Sequence, residues 1–570
     1  MKEKIIAILK DLFAASIPID LSVPDELAFG HFSTNIAMRL AKAQGKRPME
    51  LAAELAAKVK AAAPKGFFEK VEAAPPGFVN FWMSKAALQE EFATIAKEKN
   101  FGTNKTLAGK TVMVEFTDPN PFKLFHIGHL MSNTIGESFS RLHEAAGAKV
   151  IRANYQGDVG LHVAKAIWGM EHHPEEKLPD ESTGAMQKME FLGKAYTFGS
   201  REYENDPATK EAVTAINEKV YLRSDARVNE LYDMGRAWSL AYFETIYQRL
   251  GTKFDHYFFE SEIAKEGVEI VLAHPDIFPK SDGAVVFPGE QYGLHTRVVL
   301  NSKGFPTYEA KELGLNKKKF ELYPLDSSII VTGNEIVDYF KVLLKAMELV
   351  LPDVAAKTHH TPHGMLRLTS GKMSSRTGDV ITAESLLEQI KTKLGDRIGE
   401  KSELDEKERE EVAETVAVGA IKYSILKQNP GQDIIFDFER SLSFDGDAGP
   451  YVQYTYARLQ SILRKASAQG KKASVKNLET LGSDVELALM RKLDEFPSVV
   501  AHARERYAPS GLVVYVYKLA SLANKFYETT PILKDENAPR QAARLMLVTK
   551  VAEVLKSGLD LLGIGALEKI

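Results

Sequence analysis

Residues 111–130 constrain this chain more than any other stretch: Thr-Val-Met-Val-Glu-Phe-Thr-Asp-Pro-Asn-Pro-Phe-Lys-Leu-Phe-His-Ile-Gly-His-Leu. A β-rich run enters a Pro/Asn turn, and His126-Ile127-Gly128-His129 then opens a long helical pattern that ends near Gly147. Strand, turn and helix N-terminus in that order present backbone N–H groups and the positive end of a helix dipole to a phosphate. His126 and His129, three residues apart, share one face of the first helical turn. Gly128 between them carries no side chain, so a flat base has room to lie against the backbone. The arrangement suits ATP. His-x-x-His alone is a weak signal; Glu115, Asn120 and Lys123 just upstream strengthen it.

A second basic element stands far downstream, at Gly371-Lys372-Met373-Ser374-Ser375-Arg376-Thr377-Gly378. Its bland reading is a solvated Gly/Ser loop. Its chemical reading is a loop that brings Lys372, the hydroxyls and Arg376 to a leaving pyrophosphate. Charge develops there as the bond to the α-phosphorus breaks, and a cation delivered at that moment stabilises the transition state selectively. Lysine suits the task as a point charge on a flexible stem.

Two further groupings are less specific. Tyr308 and Glu312 are four apart in a helical pattern, so a carboxylate and a ring share a face; together they fit a guanidinium, and equally an ordinary surface pair. Tyr451, Tyr454 and Arg458 also fall on one helical face, offering stacking surfaces for unpaired bases or packing between helices. The histidines at 359, 360 and 363 lack a carboxylate partner at recognisable spacing, and no bound metal is expected.

Strand-like segments at 111–116, 149–154, 283–287, 296–300 and 328–332 alternate with helical ones at 127–146, 227–250 and 335–351, which predicts a parallel α/β sheet with crossover helices. Four segments follow: an α+β block at 1–84, a linker helix within 85–109, the Rossmann-like sheet at 110–400 with a helical insertion at about 171–225, and a helical bundle at 401–570. With 570 residues the chain is long enough for several domains. Cysteine is absent, which excludes disulfides, thiolate metal sites and cysteine nucleophiles. No apolar run approaches the ~20 residues of a membrane span, and Lys10 and Asp11 break the N-terminal apolar stretch. A soluble, cytoplasmic protein that uses no membrane is expected. The net charge of −4 argues only mildly against nucleic acid, since local basic patches decide such binding.

With these residues laid out, the sequence resembles the arginyl-tRNA synthetases along nearly its full length. His126–His129 matches the HIGH signature of class I aminoacyl-tRNA synthetases, and 372–376 matches KMSKS in a Lys-Met-Ser-Ser-Arg form. Residues 29–45 are similar to the family's D-arm-binding domain, 154–160 to its Asn-x-x-Gly-Asp element, and 449–458 to the entry of its anticodon-binding bundle. The resemblance implies ATP-dependent ligation of L-arginine to tRNA through arginyl-adenylate, with Mg²⁺ accompanying ATP and a monomer touching both the D-arm and the anticodon loop.

It implies that Asn120 and His126 hold the amino acid's α-groups beside Glu115. Tyr308 and Glu312, with Glu260, read the guanidinium. Lys123, His126, Gly128, His129, Lys372, Met373, Ser374, Ser375 and Arg376 handle ATP, with His126, His129 and Lys372 catalytic. Tyr451, Tyr454 and Arg458 meet the tRNA. Two departures stand out: Lys311-Glu312 occupies the place of a usual Arg-Asp pair, and Ile336 that of a usual glutamine. The competing classes are a class I lysyl synthetase, a nucleotidylyltransferase and a silent RNA-binding paralogue. The long helical C-terminus speaks against the second, and intact His126, His129 and Lys372 against the third.

Overall fold

The structure is a computed structural model that describes residues 1–12, 18–24, 26–368, 381–398 and 404–570. Its centre is a five-stranded parallel sheet. The order across it is Thr358–His363, Ser327–Gly333, Thr111–Glu115, Lys149–Gln156 and His256–Phe259. In chain order these strands run fifth, fourth, first, second, third. The winding therefore reverses between Thr111–Glu115 and Ser327–Gly333, and a ligand crevice opens beyond the carboxyl ends of those two strands. The helix Ile127–Ala145 crosses from the first strand to the second with His126 at its N-cap.

Two of the predicted strands lie elsewhere. Ala284–Phe287 and Arg297–Leu300 pair antiparallel with each other, and Lys280–Ser281 pairs antiparallel with the former, in a separate small sheet. The reason is connection length: a parallel return needs a crossover of a dozen or more residues, and the chain between these two strands is too short for one. The strand His256–Phe259, hidden between helical patterns, takes the edge position instead. Residues 185–222 form two helices, Ala185–Asn205 and Pro207–Leu222, with an apolar side: Met189, Phe191, Leu192, Val213, Ile216 and Val220 join the main core.

The N-terminal block combines helices Lys2–Leu12, Ile36–Gln44 and Pro48–Ala62 with a three-stranded antiparallel sheet of Phe32–Thr34, Phe78–Met83 and Phe68–Ala74 around its own core. The C-terminal part consists mainly of Glu406–Leu426, Gly449–Ala468, Asp484–Glu505, Ser510–Thr529 and Ala538–Leu561. It is not helical throughout: Ile434–Phe436 pairs parallel with Leu366–Leu368. Its core continues into that of the sheet domain, with the helix Ile127–Ala145 buried between them. Among the described residues no helix is long and apolar enough to cross a membrane.

Candidate active site

The turn that follows strand Thr111–Glu115 is held under backbone strain. Thr117, Asp118 and Phe122 all have positive φ (82°, 47° and 67°), a region that non-glycine residues rarely occupy. Each is clamped from another element. Thr117 N donates to Ser132 Oγ at 2.9 Å, and that hydroxyl donates in turn to Val331 O at 2.8 Å. Asp118 Oδ1 accepts from Tyr155 N at 2.8 Å, and Phe122 N donates to Ser239 Oγ at 2.9 Å. Strain of this kind persists only where the surroundings over-determine it. Here it aims Asn120, Lys123 and His126 into the crevice mouth.

At the helix start the two imidazoles stack, centroids 3.6 Å apart and 19° from parallel. His126 Nδ1 accepts from Gly128 N at 3.1 Å, while His129 Nδ1 accepts from His126 N at 3.2 Å. A Cβ on residue 128 would stand 2.9 Å from His126 Cε1, so the glycine makes room for the folded-back imidazole as well as for any base. Burial pushes His126 down to about 4, helped by the nearby Lys123 charge, and holds His129 well below the usual imidazole range, aided by His126. With each Nδ1 accepting, both rings are neutral and keep Nε2–H to donate.

The unfolded chain therefore takes up protons first as pH falls from 6.5, and these histidines withdraw native stability through that window. The His126 ring proton shifts in an NMR titration should remain those of neutral imidazole down to about pH 5. A midpoint near the ordinary value would contradict this packing.

On the other side of the crevice a helix crossing assembles an acidic cluster. Helices Glu260–Ala273 and Tyr308–Leu322 approach so closely that a Cβ on Gly267 would fall 2.0 Å from Ala310 O. That contact brings Lys311 Nζ to Glu260 Oε2 at 2.6 Å, with both side chains buried. Two helical turns further along, Lys319 pairs with Glu115 at 2.6 Å, also buried. Glu312 lies between the two pairs with no cation of its own among the described residues; Asn316 Nδ2 reaches it at 3.4 Å. Burial, followed by the Glu115 charge, pushes Glu312 up to about 8. Burial and Glu115 likewise raise Asp118.

Several polar atoms of this neighbourhood are buried without a hydrogen-bond partner: the Tyr155 and Tyr339 hydroxyls, Gln156 Oε1 and Asn316 Oδ1. Such atoms are uncommon in folded proteins and mark places completed by something else. Asn120 Oδ1 and Glu260 Oε1 both face Gly157, where an added Cβ would sit 2.4 Å and 3.4 Å from them. The Tyr308 ring, 64% exposed, stands at the mouth with the Lys311 ammonium 5.4 Å from its centre.

Of the residues singled out in the sequence, Glu115, Asn120, Glu260, Tyr308 and Glu312 thus gather in one neighbourhood, and Lys123, His126, Gly128 and His129 line the turn beside it. Lys123 Nζ lies 5.0 Å from the Tyr196 ring centre, on the insertion. Glu260 and Glu115 differ from expectation in already having lysine partners. Lys372, Met373, Ser374, Ser375 and Arg376 lie outside the described residues. The chain re-enters at Ile381, and Thr382 forms a β-bridge with His126, while Ala383 N donates to Phe125 O at 3.0 Å.

The sequence marks Lys311 only as a departure from the usual Arg-Asp pair and assigns it no role, and it does not mark Lys319 or Tyr155. The spacing of Glu312, Asn316 and Lys319 along one face of a helix was the available sign. Asp158, the acidic residue of the 154–160 element, was given no role by the sequence; it is fully buried, accepts from Tyr232, Arg236 and Ser261, and anchors that turn.

The histidines after residue 358 go to separate partners. His360 bonds Thr332 Oγ1 and stacks on Phe340, and His363 bonds Gly364 O. On the helix Gly449–Ala468, Tyr454 and Arg458 form a surface ladder: the guanidinium carbon is 4.9 Å from the Tyr454 ring and 5.0 Å from Tyr527. Tyr451 instead leans on Tyr517 at 5.8 Å.

The chain matches the model of the tRNA synthetases class I (R) catalytic domain over residues 91–438. It matches the arginyl tRNA synthetase N terminal domain over 1–83 and the DALR anticodon binding domain over 452–570. The arginine–tRNA ligase of Clostridium perfringens is 33% identical over 570 residues, spanning 98% of this chain and 97% of that protein. The ligase of Fusobacterium nucleatum is 33% identical over 565 residues, spanning 97% and 95%. Among solved structures, the arginyl-tRNA synthetase of Thermus thermophilus superposes with a TM-score of 0.82 at 26% identity, covering 100% of this chain and 99% of its own.

Proposed function

We propose how this chain, which belongs to the arginyl-tRNA synthetase family and is an ATP-using arginine–tRNA ligase of translation, divides its crevice between its substrates. Arginine enters side chain first. Its guanidinium meets Glu312 and lies against the Tyr308 ring, because a planar cation is held best by a carboxylate edge and an aromatic face together. Asn120 and the His126 Nε2–H receive the α-amino and carboxylate groups near the turn. ATP, with its Mg²⁺, lies over Gly128 and His129, its phosphates toward the helix N-terminus, Lys123 and the 372–376 segment.

The arginine carboxylate attacks the α-phosphorus in line and pyrophosphate leaves. The 2′-OH of the terminal tRNA adenosine then attacks the adenylate carbonyl, as class I membership implies. No covalent enzyme intermediate forms, so positioning and electrostatics supply the rate.

One observation carries this reading: among the described residues Glu312 is a buried carboxylate without a paired cation, set among unpaired hydroxyl and amide oxygens. A cationic, hydrogen-bonding ligand satisfies all of them at once. Further out, the Tyr454–Arg458–Tyr527 ladder, beside Tyr451, offers stacking to anticodon-loop bases, and the block at 1–84 takes the D-arm. The enzyme works as a monomer in the cytoplasm.

The test is steric. Gly157→Ala drives a methyl group into Asn120 Oδ1 and toward Glu260. The KM for arginine in tRNA charging should rise on the order of tenfold while that for ATP stays put. Equal rises in both, or none, would remove Asn120 from the amino-acid site.

A further inference from the structure

The cluster around residue 312 has more carboxylates than cations, and one neighbouring side chain decides which carboxylate stays open. Lys311 Nζ takes Glu260 Oε2 at 2.6 Å and donates to the Tyr221 hydroxyl at 3.3 Å. The rings of Tyr308 and Tyr221 stand 5.4 Å and 5.9 Å from it. Burial pulls this ammonium's pKa down, but Glu260 and Tyr221 more than offset that and raise it, so it is charged at working pH. Lys319 does the same for Glu115. Glu312, next along the helix from Lys311, has no cation paired with it among the described residues.

We propose that Lys311 is a specificity-determining residue: a tethered ammonium that closes Glu260 to substrate and leaves Glu312 as the carboxylate open to a side-chain cation, so that the site admits arginine and refuses lysine. The assignment rests on Glu312 being the guanidinium receptor. A guanidinium is planar, delocalised and weakly hydrated, and one carboxylate edge with one ring face satisfies it. The ε-ammonium of lysine is a compact, strongly hydrated point charge that needs acceptors on several sides. The neutral hydroxyl and amide oxygens nearby carry no charge to offset the desolvation of an ammonium; the second carboxylate in reach is Glu260, and meeting it means standing against an ammonium already there. Discrimination thus comes from a repulsive element built beside the attractive one.

The experiment compares arginine and lysine in ATP–pyrophosphate exchange by the full-length enzyme, with tRNA present throughout. In Lys311→Met the ratio of kcat/KM for arginine over lysine should fall on the order of 100-fold, chiefly through gained lysine activity. In the double variant Lys311→Met/Glu260→Gln the uncovered carboxylate is gone, and the ratio should return to within about tenfold of the parent. Lys311→Arg should keep it. An unchanged ratio in Lys311→Met, a parallel loss for both amino acids, or a ratio still collapsed in the double variant overturns the proposal. If thermal unfolding shows Lys311→Met to be unfolded, Lys311→Gln gives the same comparison, since it still bonds Glu260 without a charge. Glu312→Gln separates the two assignments. Should it leave arginine kcat/KM intact, the receptor reading fails; should it abolish arginine use while the Lys311→Met ratio stands still, only Lys311 loses its role.

Discussion

Replacing Glu312 by Gln should lower kcat/KM for arginine by about 10³-fold while leaving the KM for ATP within a few-fold. The size follows from removing one partner of a buried charge pair, which costs roughly 3–5 kcal/mol because the other charge is then desolvated without compensation. The variant differs by one atom in volume, so packing is kept. The pH dependence supplies an independent check. In the free enzyme the Glu312 carboxyl, pushed up to about 8 by burial and then by Glu115, is largely protonated at neutral pH.

A guanidinium favours the anion, so arginine binding expels a proton, and the KM for arginine should fall as pH rises from about 6.5 to 8.5. Glu312→Gln should abolish that slope. Calorimetric titration in buffers of different ionisation heat measures the released proton directly. Stability should move the other way. A carboxyl raised above its unfolded value stabilises the native state at low pH and loses that contribution as pH rises through about 8. Above that pH the variant should melt higher than the parent. Lost activity together with lost stability at pH 9 would mark Glu312 as a structural group rather than a receptor.

Lys372→Ala should lower the turnover of pyrophosphate exchange by about 10³-fold with little change in the KM for ATP. The triphosphate already carries its charge in the ground state, shared with Mg²⁺ and water. Negative charge on the β- and γ-phosphates grows only as the bond to the α-phosphorus breaks, so a lysine that arrives at that stage acts on kcat rather than on binding. What supports placing Lys372 in this role is its sequence context and the behaviour of the chain that follows: Thr382 is bridged to the His126 backbone, and Ala383 N donates to Phe125 O. Losses of the same size in kcat and in ATP affinity would make Lys372 a simple phosphate anchor, and no loss would exclude it from the reaction.

The patterns that the sequence displayed well were those completed within one stretch of chain. The helices Ile127–Ala145 and Ala226–Leu250 lie within a residue of their expected bounds, because a helix hydrogen-bonds to itself and its apolar stripe repeats every turn. The histidine turn was legible for the same reason: strand, loop, cap and helix follow one another in a single run. The strands were read less well. Ala284–Phe287 and Arg297–Leu300 have the right composition but join another sheet, since pairing partner and direction are not local properties. Ile434–Phe436 vanished into a helical background because its partner, Leu366–Leu368, lies before the helix that precedes it.

The same division runs through the site. From the sequence came the class of chemistry and the strand-turn-helix at the histidines, carried by motifs a few residues long; that Tyr308 and Glu312 face a guanidinium came as an expectation from the family resemblance. Only the folded chain decided which carboxylates are already spoken for. Lys311 meets Glu260 from 51 positions away, and Lys319, on the helix Tyr308–Leu322, meets Glu115 at the end of the first sheet strand. Those pairings exist because two helices touch at Gly267 and because parallel strands bring distant chain ends to one edge. Charge acts through space, and the distances that set it appear only once the backbone has closed.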